Sequence, residues 1–183
     1  MNAALVERAQ HGDREAYEQL ARGAARRLFL VASRILRDTH AAEDVVQQTL
    51  VAIWQDLPSL RDPERFDAWA YRLVVRGCRT QGRRDRRRGI QVVDLSVELA
   101  TARDDFAEVV QRDQLGRAFD QLSRDQRTVV VLHHLMGLPL GEIAEILDVP
   151  YGTVGSRLHN ALRAMRAVIE ASERVSASGG QPA

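Results

Sequence analysis

A chain of 183 residues, 45% of them apolar, has enough material for one domain or two small ones. Its formal charge of +1 hides an uneven distribution: 7 Arg against 8 acids over 1–60, 10 Arg against 4 acids over 61–90, and 1 Arg against 5 acids over 91–111. A single cysteine excludes an internal disulfide and, alone, a cysteine-built zinc site, and no apolar run approaches the length of a membrane span.

The N-terminal stretch "MNAALVERAQHGDREAY" lacks the basic-then-apolar pattern of a secretion signal, so a cytoplasmic protein is expected. Over 13–36, Tyr17, Leu20, Ala24, Leu28, Val31 and Ile35 recur at steps of three and four, the spacing of an amphipathic helix. Over 41–57, Val45, Val46, Thr49, Leu50, Ile53, Trp54 and Leu57 repeat that pattern behind the cap candidates Asp38 and Thr39. "PSLRDP" (58–63) is a turn-rich loop. A third helix begins near Arg65 and runs into "GRRDRRRG" (82–89), with Cys78 as a small core residue.

Residues 90–105 are acidic, lack sustained periodicity and read as a linker, and helices resume at Phe106. Ser123-Arg124-Asp125-Gln126 is a capping-box pattern, and Gly137 is a natural helix stop. The expected fold is all-α: two small helical domains, 1–89 and 106–172, joined by the acidic linker 90–105 and followed by a disordered tail, 173–183.

"EIAEILDVPYGTVGSRLHNAL" (142–162) reads as two helices joined at Asp148-Val149-Pro150. Ile143, Ala144 and Leu147 face inward, small Ala144 permits a close crossing, Asp148 tolerates a left-handed turn, and Pro150 suits the first position of the next helix. Val154, Leu158, Ala161, Leu162, Met165 and Ile169 form one apolar stripe. Tyr151, Gly152, Gly155, Ser156, Arg157, His159, Asn160 and Arg163 are left mostly outward, short hydrogen-bonding side chains of the kind a major-groove helix uses. On periodicity alone, an ordinary packed hairpin with a solvated face serves equally well.

Arg65, Arg72, Arg76, Arg79 and Arg83 are spaced 7, 4, 3 and 4 apart, which lines them along one helical face and leads into Arg84, Arg86, Arg87 and Arg88. So many like charges repel one another unless something anionic neutralises them, and Arg with a neighbouring aromatic, Trp69, suits single-stranded nucleic acid. Trp69 by itself reads better as a core residue, since Phe66, Ala70, Leu73 and Val74 turn inward beside it.

With both motifs in view, the chain resembles the extracytoplasmic-function branch (group IV) of the bacterial sigma-70 RNA polymerase sigma factors. "HAAEDVVQQTLVAIWQDLPSLRDPERFDAWAYRLVVRGCRTQGRRDRRR" (40–88) resembles the family's second conserved region, and "LSRDQRTVVVLHHLMGLPLGEIAEILDVPYGTVGSRLHNALRAMR" (122–166) its fourth. The resemblance implies a protein that binds core polymerase, selects promoters and helps melt the minus-ten region. Glu43, Asp44, Gln47, Gln48 and Trp54 match the helix that docks on the clamp helices of the largest polymerase subunit. The loop from Pro58 to Arg65, with Arg61, matches the capture of a flipped minus-ten base. Arg65, Trp69, Arg72, Arg76, Arg79, Arg83 and Arg84 match the grip on melted promoter DNA. Tyr151, Thr153, Gly155, Ser156, Arg157, His159, Asn160 and Arg163 match the duplex minus-thirty-five reader. A monomer when free and a separate anti-sigma protein as regulator are further implied.

The chain departs from the family at Gly155, where Lys or Arg is usual, at Asn160, often Arg, and at Arg76, often Asn. No catalytic pattern competes: there is no Gly-rich phosphate loop and no HExxH, and adjacent His133 and His134 are expected to face different sides of one helix. The expected protein is not an enzyme and needs no cofactor or metal. A free-standing helix-turn-helix regulator would bind duplex without polymerase and leave the Arg stripe without a task. A degenerate sigma-like interaction protein would bind polymerase without initiating.

Overall fold

The computed structural model describes residues 2–88 and 114–178, and the regular structure among them is helical. The acidic linker expected at 90–105 and the helix expected from Phe106 to residue 113 lie outside the described residues. α1 (Ala3–Gln10) is capped by Asn2 and buries only Val6 and Ala9, too short an apolar pattern to declare itself in the sequence. Asp13 caps α2 (Arg14–Leu36), and its carboxyl is held below the usual range by the Ala16 N–H and by Arg8. α2 ends on Arg37 in the left-handed region, φ 59°. Asp38 caps α3 (Thr39–Asp56), so of the two cap candidates the Asp acts and Thr39 opens the helix. The 58–63 loop is bounded by two single helical turns, Leu57–Ser59 and Pro63–Arg65, before α4 (Phe66–Arg88).

α2, α3 and α4 pack around Leu20, Leu28, Val31, Ile35, Ile53, Phe66 and Val74. Buried Cys78 sits in this core, and desolvation pushes its thiol up to about 12, so it stays protonated and inert at neutral pH. α3 and α4 approach closely at Gly77, where an added Cβ would lie 2.8 Å from Cγ1 of Val45. Val45 is buried and β-branched, so it has little freedom to yield. Gly77→Ala gains about 1 kcal/mol of helix propensity but overpacks this crossing at a cost of about 1–3 kcal/mol. The expected result is a lower thermal midpoint, and a raised midpoint would mean that the crossing relaxes freely.

The second lobe comprises α5 (residues 114–120), α6 (Arg124–Val130), a π-helical turn (Val131–Leu135), α7 (Leu140–Leu147) and α8 (Tyr151–Ser178). Ser123 and Gln126 form the full reciprocal capping box, and Gly137 follows the π turn at φ 72°. Asp148 ends α7 with φ 54°, the left-handed turn its sequence allowed. Pro150 lies one position before α8 rather than at its first residue, accepting the Thr153 N–H at 2.9 Å.

Val154, Leu158, Ala161 and Met165 are buried as expected, but Leu162 is 41% exposed. It lies about 80° round the helix from Val154, beyond the arc that α6 and α7 cover. Ile143 and Leu147 are buried as expected, Ala144 is partly buried against the core, and Ile146, not among the expected inward residues, is buried as well. α8 also continues past residue 172 to Ser178, where a tail was expected, because good helix formers persist and Ser172 and Arg174 bond back to the carbonyls of Val168 and Glu170.

The π turn changes the histidines as well. Its backbone runs i to i+5, with the Met136 N–H on the Val131 carbonyl. His133 and His134 therefore do not diverge: their rings meet edge to face at 4.8 Å. His133 Nδ1 contacts the Leu138 carbonyl at 2.9 Å, and no group of three metal-ligating side chains occurs among the described residues. No described helix is long and apolar enough to cross a membrane.

The two lobes touch along α4 with α7 and α2 with α6, and their buried apolar residues join in one cluster. Arg37 pairs with Asp120 at 3.0 Å, Tyr71 donates its hydroxyl to Met136 Sδ at 3.3 Å, and Arg124 approaches Asp85 at 3.9 Å.

Candidate functional site

Three surfaces collect the residues singled out from sequence. On α3, Glu43, Asp44, Gln47 and Gln48 are all exposed. Trp54, counted in the inward stripe with Val46 and Leu50, instead lies half out of the core at 49% exposure, its ring edge-on to Tyr17 at 4.5 Å. Beside it Val51 is 55% exposed, a residue that sequence reasoning missed although it shares the face of Asp44, Gln47 and Gln48 at helical spacing. A Trp and a Val standing in an amide-rich face form a compact apolar anchor with a polar rim, the pattern of a protein-binding hot spot.

The second surface is the outer face of α4 and the turns before it. Arg61, Arg65, Arg72, Arg76, Arg83 and Arg84 are exposed, and Arg79 is partly covered. Trp69 is half-buried, tilted against Phe66 at 6.0 Å, so it belongs to the core edge more than to an open stacking platform. With Leu60, Arg61, Arg65 and Arg72, it lines a cleft of about 220 Å³ whose opposite wall is Glu142, Glu145 and Ile146 of α7.

The stripe is not bare. Arg65 pairs with the Glu145 carboxylate, which raises the guanidinium's already high pKa through hydrogen bonding and charge. Arg72 donates to the Glu145 carbonyl at 2.9 Å and Arg79 to the Leu147 carbonyl at 3.2 Å. Three members of the stripe thus meet oxygen acceptors on α7, one carboxylate and two backbone carbonyls.

The third surface is the start of α8. Tyr151, at 62% exposure, with Gly152, Ser156, His159, Asn160 and Arg163, faces solvent, while Thr153 and Gly155 are half-exposed. A Cβ at Gly155 would meet nothing within 4 Å, so glycine is not required there by packing. Ser156 turns its hydroxyl back to the Thr153 carbonyl at 3.0 Å. Arg157 departs from the expected reader set: it pairs with Asp125 of α6 at 2.7 Å, with Nη1 buried and unpartnered. It braces α8 on α6 instead of projecting outward. The row that remains presents donors and acceptors from side chains at the N-terminal end of a helix, the end that also favours anions.

The Sigma-70 region 2 family matches residues 15–88, and Sigma-70, region 4 matches residues 112–165. The ECF RNA polymerase sigma-E factor of Salmonella typhimurium is 30% identical over 175 residues, spanning 88% of this chain and 90% of that protein. Among solved structures, CnrH in complex with the cytosolic domain of CnrY is 27% identical with a TM-score of 0.65, covering 92% of this chain and 97% of that one. The sigma factor RpoE of Bartonella quintana, solved with the anti-sigma factor NepR, shares the fold at a TM-score of 0.71 and 22% identity, covering 84% and 96%.

Proposed function

Because the chain belongs to the extracytoplasmic-function branch of the sigma-70 family and so directs RNA polymerase to promoters, we propose that this work is divided among its three surfaces. The α3 face, with Val51 and Trp54 as anchor and Glu43, Asp44, Gln47 and Gln48 as rim, docks on the clamp helices of the largest polymerase subunit. Arg61 and the α4 stripe hold the melted minus-ten strand through phosphate contacts, with Arg76 and Arg83 the most outward of its members. The α8 row reads the duplex minus-thirty-five element, with Arg157 supporting it from behind. The chain contributes recognition and strand capture, and the polymerase contributes the chemistry.

The observation that carries this division is the unbroken outward row Tyr151, Gly152, Ser156, His159, Asn160 and Arg163 on a helix otherwise packed into its lobe. A separate anti-sigma protein as regulator fits the same reading, since CnrH was solved with another protein's cytosolic domain bound. The test is hydroxyl-radical footprinting of a promoter with core polymerase and the chain together. Two protected blocks, at the minus-thirty-five and minus-ten elements, are expected, and strong protection by the chain without polymerase would contradict it.

Gly155→Arg probes the reader directly. It removes about 1 kcal/mol of helix-propensity penalty and places a guanidinium over open space. Duplex affinity should rise, and one added phosphate contact should steepen the slope of log affinity against log salt by about 0.9. A salt titration by fluorescence anisotropy checks it, and an unchanged slope would mean that position 155 does not face DNA.

A further inference from the structure

α1 precedes the segment matched to Sigma-70 region 2, residues 15–88, and none of the three surfaces includes it. Its last residue nevertheless reaches the loop between α3 and α4. The Gln10 side-chain amide donates to the Leu57 carbonyl at 3.1 Å and to the Leu60 carbonyl at 2.7 Å. Both partners are backbone carbonyls, which only accept, so the amide presents its NH2 group to them, one hydrogen to each.

The loop fixes most of its own backbone. The Leu60 N–H returns to the Leu57 carbonyl at 3.1 Å, and the Ser59 hydroxyl to that of Asp56 at 2.6 Å. On the far side Asp62 caps the next turn: its carboxylate takes the Glu64 N–H at 3.0 Å and its carbonyl the Arg65 N–H at 3.1 Å. The joint between these two turns is Leu60-Arg61-Asp62, and the shorter Gln10 bond lands on it. The Leu60 carbonyl shares a peptide plane with the Arg61 N–H. Holding that oxygen therefore sets the direction in which exposed Arg61 and Asp62 leave the core edge.

α1 is held firmly enough to serve as an anchor. Val6 and Ala9 are buried, and Gly12 turns the chain at φ 88°. The Asp13 N–H returns to the Arg8 carbonyl at 3.1 Å, and the Arg8 guanidinium clasps the Asp13 carboxylate at 2.6 Å. This corner ties α1 to α2, and through α2 to the core.

We infer that Gln10 is a positioning residue for promoter selection: through the Leu60 carbonyl it presets the loop that takes a base from the melted minus-ten strand. This rests on the reading, implied by the family resemblance, that the loop from Pro58 to Arg65 captures that base. A loose loop can re-form around a wrong base, and a pinned one cannot, so the pin acts on discrimination.

The test uses core polymerase with the full chain on two template pools built from the promoter upstream of its own operon. The minus-ten element is randomised in one pool and the minus-thirty-five element in the other, and a barcode in each transcript identifies its promoter. Gln10→Met keeps the length and removes the donors. Gln10→Glu and Gln10→Lys both bring a charge, but only Lys can donate. Met and Glu should flatten the minus-ten preference by about tenfold, which corresponds to about 1.4 kcal/mol. Lys should keep most of it. The minus-thirty-five preference and the affinity for core polymerase should stay at the parent's values in all three, whereas a general loss of structure would lower both and would not follow donor capacity.

Full minus-ten preference in Gln10→Met overturns the proposal, and so do equal losses in the Glu and Lys variants. If Gln10→Met does not fold, the comparison of Glu with Lys decides alone. Arg61→Ala with Asp62→Ala, run alongside, distinguishes the two ways of failing. If that loop variant loses preference while Gln10→Met does not, the loop reads the base and only the pin fails. If neither loses it, the reading of the loop has failed first.

Discussion

Trp54→Ala combined with Val51→Asp should weaken binding to core polymerase by about 30-fold or more, the loss of roughly 2 kcal/mol expected for a hot-spot aromatic. Both side chains are about half-exposed, so the fold gives up only part of what a core substitution would cost: the covered half of Trp54 and its edge-on contact with Tyr17, the latter worth about 0.5–1.5 kcal/mol. The core beneath is made by Val45, Val46, Thr49 and Ile53, which are untouched. Asp44→Lys with Gln48→Lys, on the same exposed face, should add to the loss by replacing an anionic and an amide member of the rim with cations. A pull-down titration against core polymerase measures both, with thermal melting as the control for folding. Unchanged affinity would assign the face to solvent.

The second large effect is expected at the stripe. Arg76→Ala with Arg79→Ala removes two cations from the face opposite Val74 and Cys78, and replaces each with a better helix former. If both touch the melted strand, the slope of log affinity against log salt falls by about 1.4, that is about 0.7 for each contact. Opening of the minus-ten region should then drop more than polymerase recruitment does. Permanganate reactivity of unpaired thymines, compared at matched occupancy, reads the difference. Matching occupancy matters because Arg79 also bonds the Leu147 carbonyl, so its loss removes a contact between the lobes as well as one to DNA. Equal reactivity would make the stripe a solvated face.

Much of this was legible in the sequence, for identifiable reasons. Steps of three and four place Leu20, Leu28, Val31 and Ile35, and short-range chemistry marks the helix ends at Asp38, Ser123, Gly137 and Asp148. These features depend on neighbours in sequence. The missed ones depend on neighbours in space. Leu162 fits the apolar rhythm of its helix, and only the packing shows that nothing covers it, whereas Val51 breaks the rhythm of its helix and its place among Asp44, Gln47 and Gln48 was there to be read. Arg157 has the spacing of a DNA reader, yet Asp125 lies 32 positions earlier and draws it back onto α6.

The stripe is the sharpest case. Its charge density signalled an anionic complement, but Glu145 stands 80 residues beyond Arg65, and a carbonyl oxygen has no letter in a sequence. Gly77 likewise looks like a weak point in α4, until the close approach of Val45 accounts for it. The π turn at Val131–Leu135 is invisible for a related reason. Its i to i+5 bonding, with the Met136 N–H on the Val131 carbonyl, has no mark in the propensity of the residues in it.

The central claim, that this chain gives core polymerase both a promoter address and an open strand, has one direct measurement. Purified core polymerase is incubated with and without the chain on a template carrying the promoter upstream of its own operon, and run-off transcript is quantified. Specific transcript of the expected length only when the chain is present is the predicted result. Transcript equal with and without it, while the chain still binds polymerase, would contradict the claim and leave an interaction protein that no longer initiates.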